Sequence, residues 1–186
     1  MENKLIQNIL TKNYLTEDKL YEALKLIFKV DFIRDRQVPE SGINKRPDFR
    51  NDELKLIVEF DGDRHYCNNK IQKSDILKYK VYTNMGYKVV HIPYFIQLST
   101  QVIKLLFDID IEWEQQYPHG FIDEKAMLPV DYNYLGVNNF KKDLIKFQEI
   151  SADIINSLEA KIELLGIDNV LPYGINDIND LIKNNR

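Results

Sequence analysis

Apolar and polar residues alternate along residues 54–61 in the way expected of a β-strand. One face carries Leu54, Leu56, Val58 and Phe60, and the other carries Lys55, Ile57, Glu59 and Asp61. Less regular patterns rich in β-forming residues predict further strands over 30–38, 46–50 and 87–92. The segment 54–61 is therefore predicted to be the principal strand of a sheet.

A different spacing, with apolar residues three or four positions apart, marks the helices. It predicts helices over 3–11, 16–29, 69–85, 99–107 and 139–165. In the helix over 69–85 the apolar stripe is made by Ile76, Leu77, Val81 and Met85. The spacing in 139–165 is near that of a coiled-coil seam, but the segment is too short and broken to predict one.

The predicted elements follow one another in the order αβββαβ. The strand, helix and strand that end this series favour a right-handed parallel crossover. We therefore expect an α/β fold with a mixed sheet flanked by helices. Residues 1–107 are predicted to form this core domain. Residues 108–186 are predicted to be a helical C-terminal extension that packs on the core or mediates association.

Composition places the chain among soluble globular proteins, with 44% hydrophobic and 29% charged residues. No apolar run approaches the length of a membrane span, and the first residues lack the features of a signal peptide, so we expect a cytoplasmic protein. The single Cys67 excludes an internal disulfide. The net charge of −4 does not favour a nucleic-acid partner, although a binding cleft needs only a local basic patch.

Three carboxylates are predicted to meet at the end of the principal strand. Glu59 and Asp61 leave the same face, and Asp48 lies eleven residues before Glu59 on the preceding strand. A hairpin through Asn51 and Asp52 would bring Asp48 beside Glu59. Like charges at close range repel one another unless a cation lies between them, and Mg²⁺ prefers such oxygen ligands.

Residues 46–49, 56–62 and 65–66 resemble the motifs of PD-(D/E)xK nucleases. The branch related to very-short-patch repair endonucleases is the most similar, because its strand also ends in Glu-x-Asp-Gly with a His nearby. The resemblance covers roughly residues 16–95, about half of the chain. It implies a restriction-endonuclease-like αβββαβ core.

The resemblance also implies roles for individual residues. Asp48, Glu59 and the main-chain carbonyl of Phe60 would hold Mg²⁺, with Mn²⁺ able to substitute. Asp61 stands where the general pattern has a lysine, so it would act as a further ligand or as a base. His65 would supply the missing proton-transfer group, since its pKa is ordinarily near neutrality.

Residues outside this cluster complete the candidate site. Glu17 resembles the first-helix glutamate of the family and would reach the metal, although an acid at a helix start is also ordinary. Basic residues cluster after the strand, and some of them are expected to contact DNA phosphates, or else to be solvated helix residues: Arg64, Lys70, Lys73, Lys78 and Lys80. His119 and His91 are assigned structural positions.

These features support a metal-dependent endonuclease that hydrolyses DNA phosphodiester bonds in restriction, repair or mobile-element processing. The aspartate at position 61 keeps open an alternative, a catalytically inactive nuclease-like fold that binds DNA or protein. A weaker interpretation is a nuclease directed at RNA. The C-terminal helix either forms a homodimer or packs back on the core.

Overall fold

The computed structural model describes residues 15–114, 120–121 and 126–183. These residues divide into two compact units, which meet in sequence between Tyr94 and Phe95. The sequence prediction placed the corresponding boundary after residue 107. The helix predicted over 3–11 and His119 lie outside the described residues.

The first unit contains helix α1 (Glu17–Phe28), strands β1 (Ile33–Arg34), β2 (Phe49–Asn51) and β3 (Leu56–Asp61), helices α2 (Arg64–Cys67) and α3 (Asn69–Asn84), and strand β4 (Lys88–Pro93). The strands form one sheet in the order β1-β2-β3-β4. The pairings β1–β2 and β2–β3 are antiparallel, and β3–β4 is parallel. The α/β class with a mixed sheet is therefore confirmed.

Helix α1 forms as its sequence predicts. The Thr16 side chain caps the helix by accepting a hydrogen bond from the backbone N–H of Lys19. The residues at helical spacing, Leu20, Ala23, Leu24 and Ile27, are all buried. Lys29 adopts a left-handed conformation and ends the helix.

The hairpin between β2 and β3 differs from the sequence prediction at its turn. Residues 52–55 form a four-residue turn, so β3 begins at Leu56 and Leu54 is 45% exposed. The Asn51 side chain accepts a hydrogen bond from the Leu54 backbone N–H, which holds this turn. The strand predicted over 30–38 is also wrong in length, because only Ile33–Arg34 pairs with β2.

Helix α3 buries a face that its apolar residues did not predict. Ile76 is 64% exposed and Leu77 is 42% exposed. The buried residues of the helix are instead Gln72, Lys78 and Tyr82. The predicted apolar stripe is therefore only partly a core-facing stripe, because Val81 and Met85 pack against the core while Ile76 and Leu77 do not.

The second unit contains α4 (Thr100–Phe107), α5 (Tyr134–Lys146) and α6 (Gln148–Leu165), with short 3₁₀ helices at Pro129–Asp131, Ile167–Asn169 and Ile178–Leu181. The prediction of one long helix over 139–165 is wrong, because the helix breaks at Phe147, whose φ is −103° and ψ is 38°. None of the helices in the described part of the chain is both long and apolar enough to cross a membrane.

Five apolar residues that follow helical spacing through 139–165 are core positions. Phe140, Leu144, Phe147, Ile154 and Leu158 are all at most 1% exposed. The Phe140 ring packs edge-on against Phe95, with ring centroids 5.0 Å apart. These apolar residues are thus used within the unit, whereas Leu165, which continues the same spacing, is half-exposed.

Candidate functional site

The centre of the site is an ion pair between β3 and the inner face of α3. Lys78 Nζ lies 2.7 Å from Glu59 Oε2, and the Glu59 side chain is 1% exposed. Burial raises the pKa of Glu59 to about 7, although the neighbouring Lys78 charge opposes this. The other carboxylate oxygen, Glu59 Oε1, is buried without a hydrogen-bond partner. The buried acid therefore has one charge partner and one unsatisfied oxygen.

Asp48 lies beside this pair. Asp48 is the residue before β2. Phe49 pairs with Val58 in the antiparallel β2–β3 register, so the next pair along would place Asp48 opposite Glu59. Asp48 Oδ2 accepts a hydrogen bond of 2.7 Å from the Phe60 backbone N–H. Burial raises the pKa of Asp48, while this hydrogen bond and the charge of Lys78 oppose the rise. The structure thus brings Asp48 and Glu59 together.

Asp61, at the end of β3, contacts two histidines. His91 Nδ1, on β4, lies 2.9 and 3.0 Å from the two carboxylate oxygens of Asp61. His65 Nδ1, on α2, lies 3.5 Å from Asp61 Oδ1 and 2.8 Å from Asp75 Oδ2. The Asp61 carboxylate therefore contacts the His91 imidazole on β4 and the His65 imidazole on α2.

Asp75 closes the connection to the central ion pair, because its Oδ1 lies 3.8 Å from Lys78 Nζ. Six side chains of alternating charge thus form a continuous series, which we call the acid–base chain. Its members in order are His91, Asp61, His65, Asp75, Lys78 and Glu59. The acid–base chain ties α2 and α3 to β3 and β4.

Both histidines of the acid–base chain are held in the protonated form to a higher pH than a free imidazole. Burial lowers the pKa of His65, but its hydrogen bond to Asp75 and the charge of Asp61 outweigh burial, and the pKa is raised. Burial likewise lowers the pKa of His91, and the bond to Asp61 outweighs it.

The carboxylates and histidines described above do not form a ready-made metal-binding site. Within the described residues, no group of three or more His, Cys, Asp or Glu side chains is arranged to hold a metal ion. Asp48 and Glu59 remain a pair of carboxylates, and the Lys78 ammonium supplies a positive charge between α3 and β3. Binding of Mg²⁺ by Asp48, Glu59 and the Phe60 carbonyl stays a prediction.

Glu17 lies at the start of α1 and is exposed. It accepts a hydrogen bond of 3.4 Å from Arg34 Nη2, and its charge contributes to the raised pKa of Asp48. The first-helix glutamate is therefore near the carboxylates, but it is paired with an arginine. Its catalytic role stays a prediction.

The basic residues predicted to contact phosphates occupy two different environments. Arg64, Lys70 and Lys73 are exposed on α2 and α3. Lys78 is 8% exposed and points inward to Glu59. Lys80, which also belongs to the predicted cluster, is exposed. The surface set is therefore the predicted cluster without Lys78.

The net charge of the chain hides a strong asymmetry. Residues 15–94 carry 15 basic and 13 acidic side chains, whereas residues 95–186 carry 8 basic and 15 acidic ones. Between Arg64 and Lys88 there are six basic side chains and one acidic side chain. Five of these six basic side chains are exposed, since only Lys78 is buried, so this segment of the first unit carries an excess of positive charge despite the acidic total.

Sequence reasoning missed the part that two residues play in the site. His91 was assigned a structural place in a strand. Asp75 was noticed with Lys78 only as part of the family resemblance, with no role of its own. A signal for each exists in the sequence. The parallel crossover places His91 directly beside Glu59 in the β3–β4 register, and Asp75 and Lys78 share a helix face at a spacing of three.

Comparison with protein families finds one similarity. The model of the RAP domain, a family of RNA-binding domains, matches residues 58–101, about a quarter of the chain. The matched segment runs from β3 through α2, α3 and β4 to the start of α4. Searches of characterised proteins and of solved structures give no significant match to this chain.

This match corrects the functional prediction made from the motifs. The assignment to PD-(D/E)xK nucleases is wrong, because the matching family is one of RNA-binding domains and no nuclease family matches. The metal-dependent DNA endonuclease is contradicted by the same finding. The physical reason that the motif misled is local: a carboxylate-rich strand end also arises where buried acids pair with a lysine and two histidines.

Proposed function

We propose that this chain binds RNA on the exposed, basic side of α3. The observation that carries the proposal is the RAP-domain match over 58–101, because that segment also contains the concentrated positive charge. Of the interpretations drawn from the sequence, the binding module agrees with this match better than the nuclease does.

The proposed contact surface is defined by four exposed residues at helical spacing, which we call the outer face of α3. They are Lys73, Ile76, Leu77 and Lys80. The two ammonium groups are suited to phosphate oxygens, since Lys and Arg supply most of the affinity for nucleic-acid backbones. Ile76 and Leu77 offer apolar contact to sugars and bases between them.

The acid–base chain supports this surface from behind. Lys78 and Asp75 lie on the inner face of α3. They join the helix to Glu59 on β3 and to His65 on α2. Because these contacts are ionic and mostly buried, they fix the rotation of the helix about its axis. A helix that is already fixed in this way loses less conformational freedom when its outer face binds a ligand, which favours affinity. In this proposal the polar inner residues position the outer face and do not react.

Fluorescence anisotropy with a labelled single-stranded oligouridylate tests the proposal. The Lys73→Glu, Lys80→Glu double variant should bind much more weakly than the wild type. Two lost phosphate contacts should also reduce the slope of log affinity against log salt by roughly 1.4. The matched control is Lys141→Glu with Lys142→Glu on α5, which makes the same charge change in the second unit and should leave binding unchanged.

Equal affinity in the wild type and the Lys73→Glu, Lys80→Glu variant would contradict the interface. That outcome would favour a protein partner on Ile76 and Leu77, which are exposed for no reason internal to the fold.

Several finer expectations stay predictions. They are the restriction-endonuclease-like description of the core, DNA as a partner, a homodimer through the C-terminal helix, catalytic activity and a cytoplasmic location. The Phe140 and Ile154 positions are buried, which leaves less of the C-terminal helical region for a dimer contact. RNA is the partner that the family match supports.

A further inference from the structure

Tyr79 stands at the border between the outer face of α3 and the acid–base chain. It is 51% exposed, so about half of this large aromatic residue is accessible to a ligand. Its ring centroid lies 6.4 Å from that of the His91 imidazole, at an interplanar angle of 40°. Lys80 follows it in the helix, and Ile76 precedes it by three residues.

The imidazole behind Tyr79 is fixed in orientation. His91 Nδ1 contacts both carboxylate oxygens of Asp61, at 2.9 and 3.0 Å. Asp61 is itself close to His65, at 3.5 Å. The phenol ring therefore lies near a side chain whose orientation Asp61 fixes, and about half of the tyrosine is exposed to solvent.

An exposed aromatic ring next to lysines has the features of a stacking site for a nucleobase. Proteins that bind single-stranded nucleic acids combine a basic track with aromatic rings on which bases stack. In a duplex the base faces are covered by neighbouring base pairs, so they cannot stack on a side chain. A stacking residue thus distinguishes single strands from duplexes, whereas lysines do not.

We propose that Tyr79, backed by His91, stacks on an unpaired RNA base, and that this makes single-stranded RNA the preferred ligand of the outer face of α3. This inference rests on the proposed RNA-binding function. Lys73 and Lys80 hold phosphates of the same strand. The imidazole of His91, fixed by Asp61, keeps the phenol ring in place.

Two substitutions at one position test the stacking role. Tyr79→Phe keeps the ring and should bind a single-stranded oligouridylate within about twofold of the wild type. Tyr79→Ala removes the ring and should weaken that binding roughly 5- to 150-fold, the range expected for one stacked base. Binding of duplex RNA of the same length should be weaker in the wild type and unchanged by Tyr79→Ala.

A spectroscopic measurement separates stacking from a general structural effect. The fluorescence of 2-aminopurine within a single-stranded RNA is quenched when the base stacks on an aromatic ring. We expect quenching by the wild type and by Tyr79→Phe, and none by Tyr79→Ala at concentrations that saturate it. Circular dichroism and thermal unfolding of Tyr79→Ala confirm that the variant is folded.

The outcomes distinguish this inference from the function on which it rests. If the wild type binds no RNA, both are overturned. If Lys73→Glu with Lys80→Glu weakens binding but Tyr79→Ala does not, RNA binding stands and the stacking role is overturned. An equal loss on single-stranded and duplex RNA with Tyr79→Ala would also overturn it, because stacking cannot act on a duplex.

Discussion

Lys78 Nζ lies 2.7 Å from Glu59 Oε2, and neither side chain is more than 10% exposed. This pair joins the inner face of α3 to the middle of β3. It explains why a helix with several apolar residues turns Ile76 and Leu77 outward, since the inward positions are taken by charged partners. The same pairing thus determines which residues of α3 reach a ligand.

Removal of the lysine charge should strongly destabilise the first unit. At about pH 8, above the raised pKa of Glu59, we expect Lys78→Met to lower the free energy of unfolding by about 3–5 kcal/mol, because it leaves the Glu59 carboxylate buried without a cation. Urea unfolding followed by circular dichroism measures the change. The matched control is Lys78→Met with Glu59→Gln, which removes both charges and should recover most of the loss. A stability of Lys78→Met within about 0.5 kcal/mol of the wild type would contradict the pairing.

The stability of the chain should fall as the pH rises from acid to neutral. The folded state raises the pKa of Glu59 from 4.5 to about 7, so it holds a proton that the unfolded chain releases above about pH 4.5. His65 and His91, whose pKa values are also raised, stabilise the fold below 6.5 and lose this contribution as the pH passes their folded-state pKa. The three groups act in the same direction.

The contribution of Glu59 to this pH dependence is on the order of 3 kcal/mol between about pH 4.5 and about pH 7. The glutamine of Glu59→Gln does not titrate, so the unfolding free energy of this variant should depend less steeply on pH over that window than the wild type's. Urea titrations at several pH values between about 5 and 8 provide the comparison. Equal slopes for the two proteins would show that Glu59 does not carry the raised pKa.

Asp61 should control the protonation of both histidines. Asp61→Asn removes the carboxylate that raises the pKa of His91, so we expect that pKa to fall toward 6.5. The fall should be smaller for His65, whose first partner is Asp75. NMR titration of the imidazole resonances measures both values.

Asp63→Asn is the matched control for that titration. Asp63 lies two residues further along and makes no capping hydrogen bond to α2. It should leave both histidine pKa values unchanged. If Asp61→Asn also left both histidine pKa values unchanged, the assignment of Asp61 as the shared partner of His91 and His65 would be incorrect.

The regular parts of the first unit could be predicted from the sequence because their patterns are local. The spacing of Leu20 and Leu24 predicts α1, and the alternation through Val58 predicts β3. The order αβββαβ then predicts the mixed sheet and brings Asp48 beside Glu59. These predictions depend on periods of two and 3.6 residues, which neighbouring positions are sufficient to reveal.

The rest of the site depends on long-range pairing that periodicity does not contain. Lys78 and Glu59 are 19 residues apart, and a rule that places apolar residues inward assigns Ile76 and Leu77 to the wrong face. The break at Phe147 was missed for a related reason. The apolar period continues through Phe147 with no Gly or Pro to mark it, so one helix and two give the same pattern.

The most direct test of RNA binding on α3 is a map of backbone amide shifts. Single-stranded oligouridylate is added to the ¹⁵N-labelled protein, and heteronuclear correlation spectra are recorded. We predict that the largest shifts occur in α2, α3 and β4, including Lys73, Tyr79 and Lys80. Largest shifts in α5 and α6, or no shifts at any RNA concentration, would contradict the account.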